Sequence, residues 1–201
     1  MKLNAAFYLN PDVVAVAGML LGKVLYSNIN GEITGGIITE TEAYNGVDDK
    51  ASHAYGGRRT ARTEIMYHKG GTAYVYLCYG IHSMFNVVTN KEGIPHAVLI
   101  RSVIPYAGEE IMRKRRFSAT TESSRYNGPG KVCLALDIHF SLTGTSLTGN
   151  KLWIEDKGIN FNKSDIEITP RIGVDYAGKD ALLPYRFAVK QDAIKNLNLK
   201  N

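Results

Sequence analysis

The stretch Ile38-Thr39-Glu40-Thr41-Glu42-Ala43-Tyr44 has the composition of a β-strand that ends in two carboxylates and a tyrosine. Side chains on a strand alternate between its faces, so Glu40, Glu42 and Tyr44 are predicted to share one face. Glutamate is a poor strand former and is costly to bury without a partner. The spacing alone slightly favours an exposed edge with solvated acids over a carboxylate kept for chemistry.

The segments around this stretch predict a series of antiparallel hairpins. A strand at 23–27 leads into a turn at Asn28-Ile29-Asn30-Gly31, and the return strand runs from about Glu32 to Tyr44. One α+β domain covering residues 1–201 is the simplest architecture. The other predicted helices run from Pro11 to about Leu21 with Asn10 as N-cap, over 107–117, and after Asn127-Gly128-Pro129. Further strands are predicted at 72–80, 84–89, 97–104, 151–155, 166–169, 172–174 and 185–189, followed by a polar tail from Asp192.

Composition and charge narrow the class of protein. The 201 residues carry a net charge of +5, which favours a polyanionic partner, nucleic acid first. No apolar run approaches the roughly 20 residues of a membrane span, and the N-terminus is too polar for a signal peptide. We therefore expect a cytoplasmic protein that does not bind membranes. Cys78 and Cys133 are isolated, so both are expected to be buried thiols.

Residues 45–71 form a long segment rich in glycine, polar and basic residues, including His53, Arg58, Arg59 and Arg62. A loop of this length inside a compact domain is usually functional or disordered. Glycines beside the arginines allow the backbone to approach a ligand closely. A ligand-binding loop and a solvated surface loop are about equally supported by these residues.

Aromatic residues dominate the strand that follows. Tyr74 and Tyr76 share one face, whereas Tyr79 stands beside Gly80 at the strand's end, where a ring can project from the surface. Aromatic stripes on strands more often form cross-strand pairs than ligand platforms. Arg101 interrupts an apolar strand, and an arginine buried without a purpose is rare, so a site role is favoured for it.

The sequence contains none of the usual motifs for metal binding, nucleotide phosphate binding or a nucleophilic serine. The five histidines form no HxxxH or HxH pair and no set with cysteine, and Asp48 and Asp49 fit a solvated acidic loop better than a metal site. There is no GxGxxG, P-loop or GxSxG motif. A carboxylate, an aromatic platform and a basic loop remain. Together they indicate cleavage of a glycosidic bond, with nucleotide sugars as the substrate class.

A set of motifs in one order covers the chain from about Ala15 to about Val189. They are Glu40-Thr-Glu-Ala-Tyr44, Ala51-Ser-His53 followed by Gly56-Gly57-Arg58, Gly71-Thr-Ala-Tyr-Val-Tyr76 with Tyr79-Gly80, Asn86, Ala97-Val-Leu-Ile-Arg101, Gly128-Pro129-Gly130-Lys131 and Arg171-Ile-Gly-Val174. By these motifs the chain resembles the alkyladenine (3-methyladenine) DNA glycosylase family. The resemblance implies a single compact α+β domain with a central antiparallel, curved β-sheet and helices packed around it.

The resemblance also implies a function. The enzyme would be monofunctional and metal-free, would need no cofactor, and would act as a monomer in base excision repair. It would flip damaged purines such as 3-methyladenine, 7-methylguanine, hypoxanthine or ethenoadenine out of double-stranded DNA. Glu42 would deprotonate the attacking water and Arg101 would help hold it. The other implied roles are stacking on the base for Tyr44, His53 and Tyr76, exclusion of the guanine amino group for Asn86, a water contact through the carbonyl of Ile172, intercalation by Tyr79, and DNA-backbone contacts by Arg58, Arg59 and Lys131.

The sequence differs from the family pattern at one place, and three other functions are also considered. Ile81 and His82 stand where the family often has larger apolar or aromatic residues, which bears on how deeply the wedge penetrates. No long N-terminal extension precedes the motifs, so additional partner-binding segments are not expected. The alternatives are a bifunctional glycosylase/lyase, for which Lys69 and Lys131 are the nearest candidates for a Schiff base, a non-catalytic nucleic-acid-binding module, and a carbohydrate hydrolase.

Overall fold

The computed structural model describes residues 1–116 and 126–197. Its strands are β1 Val24–Ile29, β2 Glu32–Tyr44, β3 Ala73–Cys78, β4 His82–Thr89, β5 His96–Ala107, β6 Leu152–Glu155, β7 Ile166–Thr169 and β8 Arg186–Val189. They form one antiparallel sheet in the order β3-β4-β5-β2-β1-β6, in which β8 also pairs with β2 and β7 pairs with β8. The predicted α+β class with a curved antiparallel sheet is confirmed.

Short helices pack around this sheet. They are α1 Ala5–Tyr8, α2 Val13–Met19, α3 Glu109–Arg115, α4 Pro129–Ala135 and α5 Gln191–Lys195. The long basic segment is ordered by three 3₁₀ turns, at Gly46–Asp48, Tyr55–Gly57 and Glu64–Tyr67. Across the two described ranges, none of the helices has the length and apolar character required to cross a membrane.

Strand β2 is the central element of the sheet. It pairs with β1 from Glu32 to Ile37 and with β5 from Gly35 to Tyr44, and residues 40–42 also pair with β8. The turn into β2 consists of Asn30 and Gly31, both at positive φ (54° and 83°), which matches the twist of a two-residue hairpin. The predicted return strand from Glu32 to Tyr44 is confirmed. The predicted exposed acidic edge is wrong, because Glu40 and Glu42 are both buried between paired strands.

Three irregularities interrupt the pairing of β2 with β5, and two of them flank Glu40. The register passes from Ile38 opposite Val103 to Glu40 opposite Ser102, so Thr39 is skipped on β2. It then skips Arg101 on β5 before regular pairing resumes. Bulges of this kind re-aim side chains and are frequent beside active sites. The two beside Glu40 lie at the level of the two carboxylates.

Helix α2 packs one face of β2. Val16 and Ala17 are buried on its inner side, and the Thr41 hydroxyl of β2 donates a 2.9 Å hydrogen bond to the Ala17 carbonyl. The predicted N-cap is wrong by two residues. The Asn10 side chain accepts from the Asp12 amide, and Asp12 itself caps the helix by accepting from Ala15.

Two further predictions fail near the C-terminus. Residues 172–174 are not a strand, because Gly173 adopts φ +73° and turns the chain. Part of the predicted polar tail is helical, since α5 begins at Gln191 and places Ile194 against the core. The expected end of the 107–117 helix lies outside the described residues, as do residues 198–201.

The main core lies between the sheet and helices α2, α3 and α4. Phe85 and Ile100 from the sheet meet Leu20 and Leu136 next to the helices, all fully buried. Truncating an aromatic at such a position costs about 3–5 kcal/mol. Cys133 is buried and Cys78 is half-buried, and both are free thiols. This packing holds β2 and β5 firmly behind the site described next.

Candidate active site

Glu42 lies on β2 with paired strands on both sides, and its side chain is fully buried. Oε1 accepts a 2.8 Å hydrogen bond from the backbone amide of Ile172, and Oε2 accepts a 2.9 Å bond from the Tyr44 hydroxyl. Burial raises the pKa of Glu42 above its ordinary value, and the nearby Arg101 guanidinium and these two hydrogen bonds offset only part of the shift. The result is a fixed carboxylate with raised basicity.

Arg101 is held between the two carboxylates of the opening motif. Its Nε lies 3.0 Å from Oε1 of Glu40 and 3.4 Å from Oε1 of Glu42. The same Glu40 oxygen accepts a 2.6 Å bond from Nε of Arg186 on β8. Glu40 therefore anchors the arginine next to Glu42.

A buried ion pair joins the start of the long basic segment to the chain before Ile172. Both terminal nitrogens of Arg171 donate to the carboxylate of Asp49, and Nη1 also donates to the Ala43 carbonyl at 2.9 Å. The guanidinium lies 4.9 Å from the ring centre of Tyr44. The solvated-loop interpretation is therefore wrong for Asp49. The sequence assigned no role to Arg171, whose only signal was its place in the Arg171-Ile-Gly-Val174 motif.

A cavity of about 380 Å³ opens next to Glu42. Its lining is mostly aromatic and polar, and Glu42 lies directly behind it, covered by Tyr44, Arg101 and Ile172. The structure thus brings together most of the predicted site residues, which come from β2, β3, β4, β5, the β3–β4 turn and two other loops. The lining residues that were predicted as site residues are Tyr44, His53, Tyr76, Tyr79, Asn86, Arg101 and Ile172.

His53 is held by its ring edges inside this cavity. Its Nδ1 lies 2.9 Å from the Tyr74 hydroxyl, its Nε2 lies 2.9 Å from Nη2 of Arg62, and its ring meets Tyr76 edge-on at 4.7 Å. Burial, followed by the charges of Arg62 and Arg58, lowers the pKa of His53 to about 4. The imidazole is therefore neutral at physiological pH.

The three arginines of the basic segment have different environments. Arg58 is exposed, whereas Arg59 makes two 2.7 Å hydrogen bonds to Glu64. Arg62 turns into the cavity, with its guanidinium carbon 4.8 Å from the ring centre of Tyr76. Sequence reasoning placed Arg62 in the loop but gave it no site role, because nothing in its neighbours shows which of several arginines points inward.

The remaining predicted residues take less expected positions. Asn86 is buried and its amide nitrogen donates to the carbonyls of Tyr74 and Met84 at 3.2 and 3.3 Å. Ile172 contacts Glu42 through its amide, whereas a carbonyl contact to water was predicted. Lys131 lies in the first turn of α4 and lines a neighbouring cavity of about 450 Å³.

Tyr79 projects from the tip of the β3–β4 hairpin, with 92% of its surface exposed. It adopts φ +51° and is followed by Gly80 at +73°. A left-handed tyrosine is uncommon, and the conformation holds the ring out from the surface at the rim of the cavity. Ile81, next along the hairpin, is also exposed, so this tip presents two apolar side chains to solvent.

Comparison with known proteins decides which family this arrangement represents. A sequence model of the family described as methylpurine-DNA glycosylase matches residues 6–193. The chain belongs to this family. The resemblance inferred from the motifs is thereby confirmed, and the protein is a DNA glycosylase, a hydrolase of the N-glycosidic bond that acts on DNA with damaged bases.

Bacterial relatives cover nearly the whole chain, and each of the following carries the name 3-methyladenine DNA glycosylase. A protein of Chlamydia felis is 48% identical over 186 residues, which are 92% of this chain and 94% of that protein. One from Desulfitobacterium hafniense is 44% identical and spans 92% and 94%. One from Clostridium acetobutylicum is 44% identical and spans 94% and 95%.

Proposed function

We propose that this enzyme flips alkylated or deaminated purines out of double-stranded DNA and hydrolyses their glycosidic bond with water activated by Glu42. The proposed substrate class comprises 3-methyladenine, 7-methylguanine, hypoxanthine and ethenoadenine. The enzyme acts as a cytoplasmic monomer and has no lyase activity. The observation that carries the proposal is the buried Glu42 carboxylate, held at both oxygens behind an aromatic cavity.

Glu42 suits the role of a general base. Burial raises its pKa, and a more basic carboxylate accepts a proton from water more readily. The Tyr44 hydroxyl and the Ile172 amide fix its orientation, which reduces the entropy cost of aligning the water. Arg101 lines the cavity beside Glu42 and is placed to help hold that water, and the carbonyl of Ile172 is the proposed second contact.

The cavity suits an extruded base. Its volume falls within the range of small-molecule sites, and Tyr44, Tyr76 and His53 supply ring faces and edges on which a purine stacks. Asn86 lies among these residues, where it can reject the amino group of guanine. Unstacking costs a few kcal/mol and costs least for damaged, weakly paired bases, so extrusion itself adds selectivity.

Tyr79 is the proposed wedge that fills the gap left in the duplex. Its exposure and its position at the cavity rim support this role. Arg58 and Lys131 are proposed to contact DNA phosphates. Arg59 can do so only by releasing Glu64, and its surface pair is weak enough for that exchange.

The absence of lyase activity is proposed because a lyase needs an amine at the sugar carbon. No lysine lines the cavity next to Glu42 in the part of the chain that the structure describes. Lys131, one of the two candidates, borders the neighbouring cavity. Borohydride trapping of a covalent enzyme–DNA adduct would overturn this part of the proposal.

The deciding experiment compares wild type with Glu42→Gln on duplexes that each contain one lesion. We expect Glu42→Gln to bind the damaged duplex while base release slows by about 10²- to 10⁴-fold. The matched control is Glu109→Gln, which changes an exposed glutamate on α3. Base release by Glu42→Gln at the wild-type rate would contradict the mechanism.

A further inference from the structure

Arg62 places a positive charge inside the aromatic cavity. Its guanidinium carbon lies 4.8 Å from the Tyr76 ring centre, and Nη2 lies 2.9 Å from Nε2 of His53. The residue comes from the loop between two 3₁₀ turns, and much of its side chain is accessible to solvent. An arginine stacked on a tyrosine gains a cation–π interaction and has an ordered head group.

The side chains that Arg62 contacts inside the cavity are neutral. His53 is neutral, and burial raises the pKa values of Tyr74 and Tyr76, so neither phenol ionises near neutrality. Among the described residues Arg62 makes no ion pair with a carboxylate. The charge of Arg62 is therefore available to whatever occupies the cavity.

Two classes of damaged purine respond differently to such a charge. A purine alkylated at N3 or N7 is cationic, and when the bond from C1′ to N9 breaks, the electron pair goes to the ring and the base leaves neutral. A neutral purine such as hypoxanthine takes up the same electron pair and leaves with negative charge unless it gains a proton. In both cases water adds to C1′ and Glu42 accepts the water's proton. A fixed cation repels the first base before cleavage and stabilises the second during cleavage.

We propose that Arg62 is a specificity-determining residue that biases this enzyme toward neutral purine lesions over cationic ones. The proposal rests on the proposed function and deepens it. Both effects of the charge act in the same direction, whichever side of the base the guanidinium occupies. Arg62 also takes up a cation-binding face of Tyr76, which removes part of the advantage that a cationic base gains from the aromatic cavity.

The test measures single-turnover release of hypoxanthine and of 7-methylguanine from otherwise identical duplexes at enzyme concentrations below saturation, where the rate includes binding of the base in the cavity. Arg62→Gln removes the charge, Arg62→Lys keeps it, and Lys157→Gln removes a surface charge beyond the opposite edge strand β6. We expect Arg62→Gln to lower the ratio of hypoxanthine to 7-methylguanine release by about tenfold or more. Arg62→Lys is expected to retain most of the ratio, and Lys157→Gln all of it.

Other outcomes overturn the proposal. An equal fall for both lesions in Arg62→Gln would make Arg62 a general DNA contact. An equal rise in the release of both bases would mean that the Arg62 side chain only fills the cavity and must be displaced by the base. Thermal unfolding of each variant shows whether it is folded, and Arg62→Lys provides a second folded comparison. If Glu42→Gln still releases both bases, the proposed function fails, whatever the ratio in the Arg62 variants.

Discussion

The backbone amide of Ile172 donates a 2.8 Å hydrogen bond to Oε1 of Glu42, 130 residues earlier in the chain. This bond fixes one oxygen of a fully buried carboxylate. It depends on the turn at Gly173, whose φ of +73° is unfavourable for other residues. The segment that holds the carboxylate is therefore irregular and depends on this glycine.

Replacing that glycine tests the connection. Gly173→Ala is expected to cost about 1 kcal/mol of stability and to reduce base release by about tenfold, because the strained turn shifts the Ile172 amide. Gly93→Ala is the matched control, since Gly93 also has positive φ and open space around its Cβ position. Thermal unfolding and excision assays on both variants decide. Equal activity in the two would show that the turn does not position Glu42.

A second prediction concerns the shared arginine. The groups that face Glu42 are Arg101 from β5, Tyr44 and Glu40 from β2, and the Ile172 amide. Glu40→Gln removes a repelling charge and frees Arg101 for Glu42, so the pKa of Glu42 is expected to fall. In the proposed mechanism Glu42 acts ionised, so the acid limb of the pH–rate profile should move to lower pH.

The measurement for Glu40→Gln is single-turnover base release across pH 4 to 8, with Glu109→Gln as the surface control. A uniform loss of rate at every pH, with an unmoved acid limb, would indicate a purely structural role for Glu40. The maximal rate is also expected to fall, because a less basic Glu42 accepts the water's proton less readily.

His53 gives a prediction on pH and stability. Its pKa is lowered from 6.5 to about 4 by burial and by Arg62 and Arg58, so the unfolded chain binds more protons than the folded one below pH 6.5. Stability conferred by neutral His53 is thus complete above pH 6.5 and is lost as pH falls toward 4. The loss between pH 7 and pH 5 is expected to be about 1–2 kcal/mol.

NMR titration of the His53 ring measures this shift directly, and chemical denaturation of wild type and His53→Asn at both pH values measures its effect on stability. Arg62→Gln should move the pKa of His53 back toward its ordinary value, because one of the two repelling arginines is gone. A wild-type value near 6.5 would contradict the buried, neutral imidazole.

The ion pair of Arg171 and Asp49 provides a stability prediction. Both side chains are almost completely buried, so Asp49→Asn leaves an uncompensated charge and should destabilise the fold by about 3–5 kcal/mol. Glu64→Gln breaks the exposed pair with Arg59 and should leave stability almost unchanged, because solvent screens the pair. Urea denaturation at neutral pH compares the two. Similar costs would mean that solvent reaches the Arg171 pair.

The elements of the fold that are determined by residues close together in the sequence could be predicted. Alternation along β2 and the Asn30-Gly31 turn gave the correct strand limits, since both signals act over a few residues. The burial of Glu40 was not predictable, because it depends on β8, which approaches from the other end of the chain. The spacing of the two glutamates favoured an exposed acidic edge, but pairing with β8 covers that edge.

The residues of the candidate site also fall into two groups, those that the sequence motifs indicated and those that they did not. The motifs placed Glu42, Tyr44 and Tyr76 beside one cavity. They did not reveal Arg171, whose partner is 122 residues away, or the inward direction of Arg62 among three loop arginines. These features depend on side-chain directions in irregular segments, which have no periodic signal.

The pairing of β2 on both sides has a consequence for how enzyme and DNA meet. Glu42 is hydrogen-bonded into the sheet through β5 and β8, so no loop movement can carry it toward a substrate. If Glu42 is the proposed base, its position is therefore set before the enzyme meets DNA. The rearrangement that the proposed base extrusion requires would then fall on the nucleic acid, and a stiff duplex that resists this deformation should be a poor substrate.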